Sequence, residues 1–136
     1  MADLVITAAN VLSSEGGSTR NATAGEALTA GKVVYSDPDT SKYKLADCDS
    51  ATAAARLPDG IALNAAGVDQ PVRVHRKGPI VIGAALTPGL AYYLSPTAGG
   101  ICPIADVQAG DYPVFLGFAI SATVLDVDIK AAGVAL

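Results

Sequence analysis

His75, the only histidine of the chain, is the residue that a Ser-His-Asp or Cys-His mechanism would have to use. It lies between Arg73 and Arg76 in the run VRVHR, where the neighbouring cations disfavour its protonation. No GxSxG motif places a nucleophile beside it. We therefore expect an exposed position on a strand for His75, no catalytic residues and no enzyme activity.

A second set of residues that could do chemistry is the acidic series Asp37, Asp39, Asp47 and Asp49, because calcium prefers several oxygen ligands from one loop. The series lacks the glycine and the terminal glutamate of an EF-hand, and aspartates at turns and helix caps already have a structural role. Neither GxGxxG nor GxxxxGK occurs. The sequence therefore predicts no metal and no cofactor.

The two cysteines, Cys48 and Cys102, are far apart and lack the paired spacing of a zinc site or a CxxC redox motif. We expect both to be reduced thiols that pack in the core, as is usual for cytosolic proteins. A single disulfide that joins them is the alternative.

An internal repeat is the strongest pattern in the chain. LTAGKVVYSDP, which begins at Leu28, is similar to LTPGLAYYLSP, which begins at Leu86, and GIAL at Gly60 is similar to GFAI at Gly117. The matches keep the same order and nearly the same separation. They predict two copies of one β unit, at about residues 24–78 and 82–133 of a single domain that covers 24–136. A duplicated scaffold without a cluster of reactive side chains suits a structural protein that covers a surface.

From Ala24 onward, short β-rich runs alternate with turns rich in Gly, Pro, Asp and Ser, which predicts an all-β sandwich or barrel. One stretch, Asp49–Arg56, predicts a short helix, because an N-cap candidate precedes an alanine run that stops before Pro58. The candidate strands are Lys32–Tyr35, Tyr43–Ala46, Gly60–Asn64, Val72–Arg76, Ile80–Ile82, Ala91–Leu94, Ile101–Ile104, Val114–Ser121 and Val124–Ile129.

Residues 1–23 differ from the rest. The run LVITAANV could form one strand, but the following SSEGGSTRNAT is small, polar and Gly-bearing. We predict an extended N-terminal arm with a flexible neck, whose tip can add to the edge of a partner's sheet. The alternative is a disordered terminus with one edge strand.

Composition limits the partners. The 136 residues suit one domain, and 51% hydrophobic content with 5% aromatics and no Trp predicts a core of thin layers. A net charge of −4 leaves no basic stripe, so direct contact with nucleic acid is disfavoured. No run approaches the ~18–20 apolar residues that span a bilayer, and no secretory signal follows Met1, so we expect no membrane partner.

The runs AGEALTAGKVVYSDPDTSKYKLAD and ARLPDGIALNAAGVDQPVRVHRKGPIVIGAALTPGLAYYLSPTAGGICPIAD resemble small structural proteins of tailed bacteriophages, particularly head decoration or capsid cement proteins. The resemblance covers Ala24 to about Ile129. Its main pattern is GAALTxGxxYYLS, followed by AGGI and a late GxA strand. Similar domains also occur in tail and fibre proteins, so the pattern marks a phage virion β domain more surely than its place on the particle.

The resemblance implies a protein on the outer capsid surface of the virion, assembled in the host bacterial cytoplasm, that bridges major capsid protein subunits. It implies a compact β-barrel or sandwich, similar to a β-tulip, that forms a homotrimer or, as the alternative, a homodimer. An N-terminal arm would contact the capsid by strand addition. On this hypothesis the contact residues are Leu4, Val5 and Ile6 in the arm, with Arg73, His75 and Arg76 as a polar contact face.

Two other functions remain open at this point. A tail or fibre domain would form trimers that bind the host surface in place of the capsid. A carbohydrate-binding β module is less favoured, because the chain has no Trp and few aromatic residues that could be exposed.

Overall fold

The computed structural model of the protein describes residues 3–13 and 16–136, and nearly all regular structure in these ranges is β-strand. The all-β prediction is confirmed at this level. The helical segments among the described residues are three short 3-10 helices, at Ala8–Asn10, Ala53–Arg56 and Ile104–Asp106. The strands are β1 (Leu12–Ser13), β2 (Ser18–Thr23), β3 (Val33–Ser36), β4 (Tyr43–Leu45), β5 (Gly60–Ala62), β6 (Pro71–Val81), β7 (Ala91–Leu94), β8 (Ile101–Pro103), β9 (Val114–Ala119) and β10 (Val124–Ala131).

The strands form one curled antiparallel sheet in the order β4-β3-β5-β6-β10-β9-β7-β8, with β1 and β2 paired to β6 outside this path. The 11-residue β6 is central, because its first part pairs with β5 and β2 and its second part with β10 and β1. The two halves of this order have the same pattern. Read inward from one end it is β4, β3, β5, β6, and read inward from the other end it is β8, β7, β9, β10. We call β3–β6 the first run and β7–β10 the second run.

The two ends of the sheet meet at the turn between β7 and β8. The Val33 N–H donates to the Gly99 carbonyl at 3.0 Å, and the Gly99 N–H donates to the Ala46 carbonyl at 2.7 Å. Further along, the Cys48 N–H donates to the Ser95 carbonyl at 3.4 Å. These bonds satisfy edge groups that an open sheet would leave unpaired. The sheet therefore curls back on itself.

Two groups of buried side chains hold the sheet together. The main core takes residues from both runs, such as Val33 and Ile61 from the first and Tyr92 and Leu125 from the second. A smaller second core lies on the other face of β3, β5 and β6, because the strands bury alternate side chains on both faces. Its members are Ala24, Leu28, Val34, Tyr43, Ala62, Ala66, Val72 and Val74. Each fully buried Val, Leu or Ile stabilises the fold by roughly 1.5–3 kcal/mol.

The structure corrects the extent of the short helix predicted at Asp49–Arg56, since only Ala53–Arg56 is helical and it has 3-10 geometry. Side chains just before this segment accept hydrogen bonds from nearby backbone N–H groups. The Asp49 N–H donates to a carboxylate oxygen of Asp47 at 3.1 Å, and the Thr52 N–H donates to the Ser50 hydroxyl at 3.1 Å. Such local bonds compete with helix formation and outweigh the helix propensity of the alanines here.

The structure also corrects the prediction of a flexible neck in the N-terminal region. β2 lies in the predicted flexible neck and pairs with β6 along its length, from Ser18 opposite Lys77 to Thr23 opposite Pro71. A polar strand forms here because the long β6 offers an edge to pair with. The run LVITAANV is not a strand over its length, although its last residues lead into β1. The parts of the predicted arm at residues 1, 2, 14 and 15 lie outside the described residues.

Candidate binding surfaces

The N-terminal segment, which we define as residues 3–13, lies against the body of its own chain. The Leu4 N–H donates to the Ile101 carbonyl of β8 at 2.8 Å, and the Thr7 N–H donates to the Gly83 carbonyl just after β6 at 2.8 Å. At its end, Leu12 and Ser13 pair with β6 as β1. The segment therefore crosses from one edge of the second run to the central strand.

The three residues predicted to contact the capsid have different environments. Leu4 and Ile6 are half-buried and pack against the main core. Val5, between them, is 89% exposed. The segment thus uses two apolar side chains to anchor itself and directs the third outward.

Beside Val5 lies an open groove of about 760 Å³ with a largely apolar lining. Leu12, on β1, is 63% exposed at the same groove. The floor is made by the end of β6 and by the loops that follow β6 and β9. The residues that line the groove include Val5, Asn10, Leu12, Val81, Ala84, Ala85 and Thr123. An apolar side chain of a partner could be covered here on several sides.

His75 is fully buried, so its predicted exposed position is wrong. Its Nε2 lies 2.8 Å from the Gly78 carbonyl oxygen, and its Nδ1 lies 2.9 Å from the Ser13 hydroxyl oxygen. Because a carbonyl can only accept, this network assigns the proton to Nε2 and makes the Ser13 hydroxyl donate to Nδ1. Burial lowers the pKa of His75, and the bond to Gly78 opposes this only in part. A neutral imidazole thus ties β1 to the central strand.

His75 is buried because the face of β6 opposite Val74 is not exposed to solvent at this position. His75 pairs with Ile61 of β5, whose side chain lies in the main core. Arg73 is exposed, and its guanidinium donates to the Thr19 hydroxyl at 2.9 Å. Arg76 is also exposed and forms an ion pair with Asp59 at 2.9 Å. The predicted polar face therefore loses His75 and retains the two arginines, both with partners in their own chain.

Burial shifts the pKa values of Asp47 and Cys102, two of the residues considered for metal or redox chemistry. Burial, with a hydrogen bond to the Asp49 side chain, raises the pKa of Asp47 to about 6. Ligand atoms of Asp3, Cys102 and Asp106 lie within 4.8 Å of one another. Burial raises the pKa of the Cys102 thiol to about 12. The Ser95 hydroxyl donates to a carboxylate oxygen of Asp3 at 2.6 Å, so this contact ties the N-terminal segment to the end of β7.

A surface that the sequence did not indicate lies on the second run. Tyr93, Phe115 and Phe118 form two edge-to-face ring contacts, with centroids 5.8 and 5.1 Å apart. Phe118 is 54% exposed. We call this trio the aromatic face. The two phenylalanines lie on β9 three residues apart, so strict alternation would place them on opposite faces. Register shifts of β9 against β7 and β10, between Gly117 and Phe115, bring the two rings together.

Two opposite charges flank the aromatic face along β10. Asp126 lies directly opposite Phe118, and Lys130 lies directly opposite Phe115. Directly opposed residues on neighbouring strands point to the same side of a sheet. The negative charge therefore marks the Phe118 end of the face and the positive charge marks the Phe115 end.

No protein-family model matches this chain, and no curated protein or solved structure matches it either. In the described part of the chain, no helix is long and apolar enough to cross a membrane. Function is therefore inferred from the residues and surfaces above.

Proposed function

We propose that this chain is a non-enzymatic structural protein of a tailed-bacteriophage virion, which binds the outer capsid surface as a decoration or cement protein. It bridges neighbouring major capsid protein subunits and stabilises the shell. It is assembled in the host bacterial cytoplasm and acts as a homo-oligomer, of three copies or of two. The resemblance of Ala24 to about Ile129 to such proteins supports this proposal, as does the all-β fold.

The observation that carries the proposal is the outward position of Val5. Its neighbours Leu4 and Ile6 pack against the main core, so Val5 is presented on an ordered backbone. The conformational entropy of that backbone is therefore lost on folding, and binding causes no further loss. An exposed apolar residue next to an apolar groove is typical of a surface that is covered by a partner. Many such contacts on one shell add up through multivalency, without any strong single site.

The finer fold proposal is that the two runs are copies of one β unit and that the sheet closes as a barrel. The matched glycines Gly60 and Gly117 support it, because each lets its strand approach the next one closely. A Cβ atom on Gly60 would lie 2.3 Å from the His75 carbonyl oxygen, and one on Gly117 would lie 2.0 Å from that of Asp126. Both copies therefore need glycine at the same point for the same reason.

The test is binding of the purified full-length chain to expanded capsids that lack decoration, prepared from the major capsid protein of the same phage. Val5→Lys and Leu12→Lys each place a charge at the groove, and we expect each to weaken binding at least tenfold. Val68→Lys is the matched control, because Val68 is also 63% exposed and is not part of the groove. Circular dichroism confirms that each variant is folded.

Three outcomes separate the alternatives. Saturable binding by the wild-type chain and the Val68 variant, with weakened binding by the two groove variants, supports the proposal. Equal binding by all four chains keeps the capsid function and removes the groove as its site. No binding by the folded wild-type chain contradicts the proposal and favours a tail or fibre domain.

A further inference from the structure

The aromatic face concentrates a scarce residue type on one uncovered surface. The chain has five Tyr and two Phe, and the face holds both Phe and one Tyr. Aromatic residues are enriched where proteins bind one another, because they cover a large area with few rotatable bonds. A single exposed apolar residue needs no explanation, but a packed group of rings that ends in a half-exposed Phe118 does.

The first run shows what covers the corresponding face. Under the repeat, Ala91 and Phe118 match Val33 and Ile61, and the two pairs also have the same strand pairing. Tyr93 matches Tyr35 in the same way. The matched residues of the first run, Val33, Tyr35 and Ile61, are all buried in the main core, where they pack with the second run.

The same β unit therefore occurs twice in one chain with two different outcomes. In the first run, this face is covered by the second run, which turns its opposite face, with Tyr92, Leu94 and Leu116, into the main core. In the second run, the described residues leave Phe118 open to solvent. A β unit from a second copy of the chain is the occupant for which the molecule itself provides a precedent.

The flanking charges indicate how two copies would be arranged. If two aromatic faces pack antiparallel about a two-fold axis, the Phe118 end of one meets the Phe115 end of the other. Asp126 of each copy then approaches Lys130 of its partner, which gives two opposite-charge contacts. In its own chain, Lys130 forms a 3.6 Å ion pair with Asp128, and the Lys130 side chain is largely exposed and that of Asp128 about half exposed, so this pair is weak and can rearrange.

We propose that the aromatic face binds the aromatic face of a second copy of this chain about a two-fold axis, with Asp126 and Lys130 setting the orientation. Such a self-complementary contact closes after two copies. The proposal goes beyond capsid binding and does not depend on it. It favours the pair over the trimer as the assembled form, and it leaves Val5 free for another partner.

The test is the mass of the full-length chain in solution, measured by sedimentation equilibrium across a concentration series. We expect the wild-type chain to reach twice its 13.6 kDa mass. Phe118→Lys is expected to raise the dissociation constant at least tenfold. Leu57→Lys is the matched control, because Leu57 is 56% exposed and lies outside the face, and it is expected to dimerise like the wild-type chain.

A charge exchange tests the two-fold arrangement itself. Asp126→Lys and Lys130→Asp should each weaken the dimer, because each places like charges opposite one another. The variant with both changes should recover at least half of the lost binding energy, since the contacts are again of opposite sign. No such rescue is expected if these residues act only on folding.

Four results would overturn the proposal: a monomeric wild-type chain, a dimer that persists in the folded Phe118 variant, a mass of three copies, or no rescue by the double change. The capsid test with Val5 and Leu12 is independent of all four. Failure here therefore leaves the proposed capsid binding standing, although a monomeric wild-type chain would also contradict the proposed homo-oligomer, and failure of capsid binding leaves the dimer standing.

Discussion

Gly117 provides a sharp test of the close approach between β9 and β10, which we propose has its counterpart between β5 and β6 in the first run. In Gly117→Ala, the new Cβ atom would lie 2.0 Å from the Asp126 carbonyl oxygen and 2.8 Å from its carbonyl carbon. Both contacts are with backbone atoms of β10, so no side chain can turn away to relieve them. The two strands must move apart.

The size of the effect follows from the strand geometry. A carbon atom and a carbonyl oxygen need roughly 3.3 Å, so β9 and β10 must separate locally by about 1.3 Å. Backbone bonds near 2.9 Å are lost at that separation. Two or three bonds around the Gly117–Val127 pair, at about 1 kcal/mol each, give a loss of about 2–3 kcal/mol. The lower entropy of the unfolded alanine chain offsets about 0.4–1 kcal/mol, which leaves about 2 kcal/mol.

The assay is urea unfolding followed by circular dichroism. With a slope of about 2 kcal/mol per molar, the midpoint of Gly117→Ala should fall by about 1 M. Gly60→Ala should fall by a similar amount, because its Cβ atom meets the His75 carbonyl oxygen at 2.3 Å. Gly67→Ala is the control, since its nearest contact is the flexible Gln70 side chain at 3.3 Å. A Gly117 variant within 0.5 kcal/mol of wild type, on the scale of ordinary surface changes, would refute the reasoning.

Two further predictions concern buried titratable groups. Because burial lowers the pKa of His75 in the folded chain, the unfolded chain binds more protons at this residue below about pH 6.5, and the His75 contribution to the free energy of unfolding should fall from pH 7.5 to pH 5 by up to about 1.4 kcal/mol per pH unit. The raised pKa of Asp47, about 6, acts in the opposite direction, so the test is the difference between the urea midpoints of the wild-type chain and His75→Gln across this range. A difference that does not change with pH would contradict the assignment. Cys48 and Cys102 are free and buried, with pKa values raised by burial to about 12, so Ellman's reagent should label them only at the rate of unfolding. Labelling of either thiol within minutes in native buffer would argue against this burial.

The positions of most strands could be predicted from the sequence because their turns carry a strong local signal. β7, for example, has the bounds predicted for it, Ala91–Leu94, between a Pro-Gly turn and the run SPTAGG. β3 and β5 were predicted to within two residues at either end. Gly, Pro and Asp act through their own backbone preferences, so these signals need no knowledge of tertiary contacts.

The faces of the strands could not be predicted in the same way. A bulge at a single residue reverses every side chain beyond it, and the sequence gives no sign of which pairing will be bulged. β6 contains Gly78 at a φ of 90°, and its register with β2 shifts between Ser18 and Thr19. His75, paired with the core residue Ile61, and the core residue Ile80 are both buried although an odd number of positions separates them on β6. The aromatic face could not be predicted from the repeat either, because Tyr93 matches Tyr35 although only Tyr35 is buried.

The position of the N-terminal segment bears on how the proposed capsid binding would occur. Strand addition by a free arm would require Leu4 and Ile6 to leave the main core and Ser13 to leave His75. Removing Ser13 would take the hydrogen-bond donor from His75 Nδ1, at a cost of about 1–3 kcal/mol where the imidazole stays buried. Binding that leaves the segment in place avoids this cost and needs only Val5 and the groove. We therefore expect the capsid partner to dock onto the ordered segment, so that hydrogen exchange at the Leu4 and Thr7 amides slows on binding and never speeds up.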